Sequence, residues 1–461
     1  MTRVPDRKDQ RGQLVRDLGA THSWAIVVGT IIGSGIFLVP AEMMQAVGSS
    51  GLVYLAWFVG GLLSFFGALT YAELGAMKPE AGGEYVYLRD GYGPLAGFLY
   101  AWTWFMVAKP ASIATITTGL VRILGTFEVF SFFPRLVTTW PIPITCGQVA
   151  AIVATVLITF LNYLGVRKAG EFQFVFTLVK VGIIFAIVFA GFSYAGGSWA
   201  NLGTEFVGAQ GGVAGFMAAL VAALWAYDGW NDLNMVAGEV KRPERNIPVA
   251  LISGVAAVAL LYMLMNAAVQ YVLPAAAVAE SERPASAATA LAVGAWGAAA
   301  VSAGMALSML VTLNGTIMSG GRIPFAVARD GYFFSALARV HPRFHTPSAS
   351  LVAQAVLAIL LLLFAGTFRQ LFSLAIFAEW LFYMAATSTV FIFRHREPDA
   401  HRPYKTWGYP VVPALFIAAS AVLLYYTFMD NLRNSAAGLA VILAGVPVFY
   451  WFARRKPARE K

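Results

Sequence analysis

The chain has 461 residues, of which 59% are hydrophobic and only 12% charged, with a net charge of +9. Soluble domains carry about twice that charged fraction, so the composition excludes a water-soluble globule and indicates a multi-span membrane protein. A single cysteine, Cys146, excludes an internal disulfide and any CxxC site, and no GxxxxGK[ST] run is present to supply an ATPase.

Residues 1–22 are polar and basic, and no small-residue cleavage site follows the first apolar run, so a removed signal peptide is not expected. A helix needs about 20 apolar residues to cross the bilayer core. Twelve spans are predicted in chain order: 23–47, 51–77, 92–122, 144–165, 171–195, 213–240, 247–273, 285–319, 348–366, 370–394, 409–429 and 433–453. With the N-terminus placed in the cytoplasm, 25 of the 32 Lys and Arg fall in inner connectors and tails. Five fall outside and two, Lys109 and Lys180, within spans. That bias predicts an all-α integral protein of the cell membrane with both termini cytoplasmic. The basic segment 7–20 is expected to lie along the anionic inner leaflet. The net positive charge is thereby explained without a nucleic-acid partner.

The first span contains Gly29-Thr30-Ile31-Ile32-Gly33-Ser34-Gly35-Ile36-Phe37. Glycine weakens a helix by about 1 kcal/mol per residue. Taken alone, this run also suits a small-residue packing face. The sixth span carries Trp225-Ala226-Tyr227-Asp228-Gly229-Trp230-Asn231-Asp232. A central Asp costs roughly 3 kcal/mol in lipid. Either this span ends early, with Asp228 in water, or the helix is broken inside the membrane; the balance of charged loops favours the second. Two breaks five spans apart place the two halves in opposite topology, the pattern of a transporter site between inverted repeats. The units are a tail 1–22, repeats 23–195 and 213–394, a helix pair 409–453 and a tail 454–461.

The chemistry follows from the breaks. The half-helix after Gly33-Ser34-Gly35 offers N–H groups to an anion, and carbonyls freed before each break suit a cation. An α-amino acid zwitterion carries both charges on one carbon. Trp225, Tyr227 and Trp230 supply aromatic bulk to close over a solute. Lys180, mid-way along the fifth span, either pairs with a carboxylate or carbonyl or holds carbonyls of the broken first helix, where a sodium ion would otherwise sit. Lys109-Pro110 lies in the third span, and a structural pairing is expected for Lys109. Glu42 and Glu379 are the other intramembrane carboxylates, each either an ion partner or a proton carrier. The five histidines avoid span centres, so no intramembrane metal or cofactor is expected. No catalytic cluster is present to suggest an intramembrane enzyme.

Several motifs in order resemble the amino acid–polyamine–organocation permeases, and within them the L-type amino acid transporters. They are Gly29 to Phe37, Tyr71-Ala72-Glu73-Leu74-Gly75 with Gly82-Gly83-Glu84-Tyr85, Lys109-Pro110-Ala111-Ser112, Ala226 to Asn231 with Arg245-Asn246-Ile247-Pro248, and Gly321-Arg322 with Ala328-Arg329-Asp330-Gly331. The resemblance implies the five-plus-five inverted-repeat (LeuT-like) fold and an amino acid carrier working by alternating access. It implies that Gly33, Ser34 and Gly35 meet the substrate carboxylate and that carbonyls of Ile31, Trp225 and Asp228 meet its amine. It implies that Trp225 is a gate, that Tyr227, Gly229 and Asn231 belong to the pocket, and that Lys180 stands where sodium sits in relatives. Sodium-independent exchange of neutral amino acids is expected. Proton coupling through Lys180 or Glu379 is the alternative, as is acceptance of cationic amino acids, for which an Asp at the place of Asp228 counts in a mammalian member. Vertebrate members bond to a heavy chain through an outer-loop cysteine after the third helix. Loop 124–143 has none here, so a stand-alone monomer or weak homodimer is expected.

Overall fold

The structure, a computed structural model, describes residues 13–139, 142–364, 368–430 and 432–455, apart from the side chains of 368–376, 430 and 434. Arg3, Arg7, Lys8 and Arg11 of one tail, Lys456, Arg459 and Lys461 of the other, and the side chain of Arg369 lie outside the described residues.

The first predicted span is two helices, α1 (Ala20–Ile31) and α2 (Gly35–Val47), and α3 (Ser50–Met77) follows. Gly82 and Gly83, at φ 112° and 53°, turn the chain into α4 (Glu84–Tyr92), packed on α5 (Pro94–Thr103). The sequence reading treats 78–91 as a connector. A nine-residue helix with mixed polarity falls below the length that hydropathy detects. A π-helical turn, Trp104–Ala108, joins α5 to α6 (Lys109–Leu124). Pro110 has no N–H to donate, and the wider turn before it absorbs the missing bond.

A short antiparallel ribbon, β1 (Leu136–Thr138) and β2 (Ile144–Thr145), leads into α7 (Cys146–Tyr163). Thr145 caps α7 by accepting from the Gln148 N–H at 3.1 Å. Then come α8 (Val166–Phe192), α9 (Gly212–Ala226), the one-turn α10 (Asp232–Met235), α11 (Pro243–Val272) and α12 (Ala275–Glu280). The eighth predicted span is divided: Gly294, at φ 85°, separates α13 (Pro284–Val293) from α14 (Ala295–Gly320). The chain closes with α15 (Arg322–Arg329), α16 (Ser348–Phe364), α17 (Phe368–Arg396), α18 (Val411–Asp430) and α19 (Leu432–Arg455).

Among the described residues nine helical stretches are long and apolar enough to cross a membrane. Helices also occupy the predicted sixth, ninth and tenth spans, as α9, α16 and α17. The apolar window of the α1–α2 stretch is 78% buried, against 28% for those of α18 and α19, so the first span is central and the last two are peripheral. α1 packs on α8, α11 and α14, and α2 packs on α9. Leu157, Phe160, Phe185, Phe189 and Leu260 are exposed on outward faces. Apolar surface of that extent suits lipid rather than water.

Candidate functional site

The two interruptions meet at the centre of the bundle. α1 stops at Ile31, and Ile32-Gly33-Ser34 leads into α2. In a continuous helix Gly33 N–H would donate to the Gly29 carbonyl; here it donates to Ile31 at 2.8 Å. The freed carbonyls are taken by side chains from α8, α11 and α14. Lys180 Nζ donates to the Gly29 and Ile32 carbonyls, each at 2.6 Å. Ser308 Oγ donates to the Ile32 oxygen at 2.8 Å or to that of Gly33 at 3.1 Å. Thr312 Oγ1 lies 3.3 Å from the Gly29 oxygen and 3.2 Å from that of Ile32. Lys180 is 2% exposed and forms no salt bridge among the described residues. An ammonium so placed depends on charge-assisted bonds to offset the several kcal/mol of its desolvation. Gln173 and Thr177, on the same face of α8, lie 3.4 and 3.3 Å from the Ala25 carbonyl and extend this polar seam along α1.

The second break spans 227–231, between α9 and α10. Gly229 adopts φ 96°, and a Cβ there would lie 2.8 Å from Thr30 Cγ2. Gly35 makes the reciprocal approach, where a Cβ would lie 2.9 Å from that of Ala226. The half-helices therefore touch through two glycines. Tyr262 OH on α11 lies 3.1 Å from the Ile31 carbonyl and 2.9 Å from that of Ala226, so one hydroxyl stands between the two breaks and can donate to either. Gly229→Ala is expected to destabilise the protein by about 2–4 kcal/mol, through a left-handed non-glycine residue and overpacking. Thermal unfolding of the detergent-purified variant is the check, and an unchanged midpoint would contradict this account.

A cavity of about 520 Å3 lies against both breaks, bounded also by α6, α14 and α17. Gly33, Ser34, Gly35, Ile31, Trp225, Asp228, Gly229, Lys109 and Glu379 line it. Tyr227 and Asn231, predicted as pocket residues, do not. Tyr227 is two positions from Trp225, roughly 200° around a helix, and packs on Trp57 and Tyr262 instead. Trp230 likewise points away from the cavity, onto Tyr71, Tyr383 and Phe416. Asn231 is buried behind the lining, donating to Glu84, whose other oxygen accepts from Tyr100 OH at 3.0 Å. Tyr383 OH lies 2.9 Å from Asp228 Oδ1 and 3.3 Å from Asn231 Oδ1.

Lys109 Nζ donates to Asp232 Oδ1 at 2.6 Å, and Ser319 Oγ to Asp232 Oδ2 at 2.9 Å. Asp232, Glu84, Tyr262, Ser308 and Tyr383 were missed as site residues. Asp232 was visible as a second acid in the sixth-span run and Glu84 stood in the Gly82-Gly83-Glu84-Tyr85 motif; Tyr262, Ser308 and Tyr383 carry no local sequence signal. Among the described residues no group of three or more His, Cys, Asp or Glu is arranged to hold a metal.

The cavity lining runs from Lys109 and Asp232 at one end to Arg122, Thr126 and Arg283 at the other. Beyond Lys109 and Asp232 the bundle is sealed. Arg322 binds Glu239 through two bonds of 2.6 and 2.9 Å, with both side chains 0% exposed. The Glu239 carbonyl accepts the N–H groups of Asp17 and Leu18, and Lys241 N–H returns to the Leu18 carbonyl. Arg89 and Tyr85 bind Asp330 at 2.6 and 2.8 Å. Lys78 pairs with Asp90 at 3.1 Å. Burial pushes the Asp90 carboxyl up, but its bonds and proximity to Arg89 and Lys78 outweigh this and hold it below the ordinary value.

A sequence profile of the amino acid permease family matches residues 18–453. The chain belongs to this family, within the amino acid–polyamine–organocation superfamily. The permease is 32% identical to the serine/threonine exchanger SteT of Bacillus subtilis over 449 residues, 96% of this chain and 98% of that protein. It is 32% identical to the b(0,+)-type amino acid transporter 1 of Mus musculus over 419 residues, 89% of this chain and 82% of that one. It is 30% identical to the cystine/glutamate transporter of Homo sapiens over 445 residues, 96% and 86% of the two chains. The family and these relatives are transporters, not enzymes. The permease is thus a multi-pass membrane protein that transports amino acids.

Proposed function

We propose that the permease is a sodium-independent exchanger of neutral L-amino acids that works by alternating access. The observation that carries this reading is Lys180, whose ammonium contacts the Gly29 and Ile32 carbonyls at the first break. A fixed cation there repels a second, so sodium is not required. At the neighbouring turn of Gly33, Ser34 and Gly35 the N–H groups of Ser34 and Gly35 hold the substrate carboxylate, while that of Gly33 is taken by the Ile31 carbonyl. The substrate amine meets the carbonyls of Ile31, Trp225 and Asp228. Trp225 closes over the solute. The relative named as a serine/threonine exchanger, similar over almost its whole length, supports exchange.

In this reading the fold is twelve spans, with five-plus-five inverted repeats at 23–195 and 213–394 and helices 11 and 12 at 409–453. Both tails, 1–22 and 454–461, are cytoplasmic in the cell membrane. The cavity is then open outward, and the seal around Arg322 and Glu239 faces the cytoplasm. The carrier stands alone, as a monomer or weak homodimer, because loop 124–143 has no cysteine for a heavy chain and Cys146 begins α7. A proton-coupled symporter is the second reading, favoured by Glu379 on the cavity wall.

The test is uptake of labelled amino acids into proteoliposomes. Uptake that requires unlabelled amino acid inside and ignores sodium and pH gradients is expected. Uptake into empty vesicles driven by an inward proton gradient would overturn exchange in favour of symport.

A further inference from the structure

The end of the second break is held from two sides. On the cavity side Asp232, the first residue of α10, is paired with Lys109 and Ser319. Behind the cavity wall Asn231 Nδ2 donates to Glu84 Oε1 of α4, and Tyr100 OH of α5 donates to Glu84 Oε2 at 3.0 Å. Glu84, Tyr100 and Asn231 are each at most 1% exposed, so bulk water does not compete for these bonds.

A close approach of two backbones makes the contact possible. Gly82 N–H donates to the Met235 carbonyl at 2.9 Å, and a Cβ on Gly83 would lie 3.0 Å from the Met235 nitrogen. The glycine pair before α4 therefore seats Glu84 against α10. The direction of the Asn231 amide is fixed as well. With Nδ2 turned to Glu84, its Oδ1 faces the Tyr383 hydroxyl at 3.3 Å, and that hydroxyl lies 2.9 Å from Asp228 Oδ1. One carboxyl on α4 thus orders Asn231, and Asn231 and Asp228 share the Tyr383 hydroxyl of α17. A turn held at its end presents its carbonyls in one geometry, and less order is then lost when a solute binds.

We infer that Glu84 is a positioning residue: acting through Asn231 and without touching the solute, it holds the second break in the shape that receives the substrate amine. The inference rests on the reading above that carbonyls of this break meet that amine. Glu84 acts here as a hydrogen-bond acceptor of the right reach. A glutamine accepts from Asn231 through Oε1 and donates to the Tyr100 oxygen through Nε2, so it keeps both bonds. An aspartate keeps the carboxylate but draws it back by one methylene, about 1.5 Å, which breaks them. A group that carried a proton or supplied a needed charge would give the opposite order.

The experiment uses the full-length permease in proteoliposomes and reads the half-saturating concentration of an external labelled neutral amino acid. Thermal unfolding in detergent reports folding. Half-saturation should stay within about threefold of the parent in Glu84→Gln and weaken by at least about tenfold in Glu84→Asp, the scale of one hydrogen bond to a charged group. Asn231→Asp sets two acceptors against each other and should weaken it as much. Combining Asn231→Asp with Glu84→Gln should restore it to within about threefold, because the glutamine amide then donates to the aspartate. A merely structural role would lower the amount of folded protein and the maximal rate and leave half-saturation in place, which would overturn the inference. Loss in Glu84→Gln with retention in Glu84→Asp would overturn it in favour of a charge or proton role, and no recovery in the double variant would overturn it as well. If Glu84→Asp fails to fold, Asn231→Asp and the double variant decide the matter. If the unmodified protein takes up substrate only under an inward proton gradient, the exchange reading falls, and the same series read in that uptake still decides for Glu84.

Discussion

Lys180→Ala is expected to reduce exchange by at least about a hundredfold. Its ammonium makes two short bonds to the carbonyls of the broken α1. Bonds to charged groups contribute about 1.5–3 kcal/mol each, and about 2.7 kcal/mol corresponds to a hundredfold. The loss arises because Gly29 and Ile32 no longer present the break in one geometry to the substrate. Ser308 and Thr312 remain nearby, so the fold should persist with weakened order at the break. Initial rates of exchange in proteoliposomes, with and without sodium, are the measurement. Partial recovery in sodium would show that the ammonium fills a cation position. Activity within about fivefold of the parent would show that the hydroxyls suffice and that Lys180 is dispensable.

Arg322→Ala should open the sealed end. The Arg322–Glu239 pair is fully buried, and the same Glu239 holds the segment at Asp17 and Leu18 through its carbonyl. Removing one partner of a buried pair costs about 3–5 kcal/mol because the other charge is left unpaired. Applied to the sealed state, that shifts the balance between the two access states by roughly two to four orders of magnitude. The readout is a thiol at Ser112, which lines the cavity. In a Cys146→Ser background, Ser112→Cys should react with an impermeant thiol reagent from the open side in the parent and from the opposite side in the variant. Replacing both partners, as Arg322→Met with Glu239→Leu, removes the unpaired charge and should restore most of the parent's folding. Unchanged sidedness in a folded Arg322→Ala variant would show that the Arg89–Asp330 and Lys78–Asp90 pairs close the cavity without it.

The breaks were legible in the sequence because each violates what lipid demands of a span. Gly33-Ser34-Gly35 weakens a helix where nothing apolar is gained, and Asp228 puts a charge where a charge is expensive. Lys180 was conspicuous for the same reason. Less legible was the direction each side chain takes once the helix ends. Tyr227 closes α9 on the side opposite Trp225, Asn231 lies in the turn that follows, and both point behind the cavity wall. Likewise α4 and the division of the eighth span at Gly294 escaped hydropathy, because a short mixed helix and a single glycine scarcely change a window of about 20 residues.

By itself the sequence determined that lipid is this protein's solvent, since a chain this apolar must satisfy its backbone within helices. It also determined where those helices fail and which charged residues are stranded within them. Only the tertiary structure decided the partners. Lys109 reaches Asp232 from 123 residues away, Glu84 reaches Asn231 from 147, and the Tyr262 hydroxyl stands between the Ile31 and Ala226 carbonyls. Glu379 was brought onto the wall of the same cavity as Lys109, Asp228 and Asp232. Such pairings depend on how helices distant in sequence are packed, and local periodicity carries no record of which face of one helix meets which face of another.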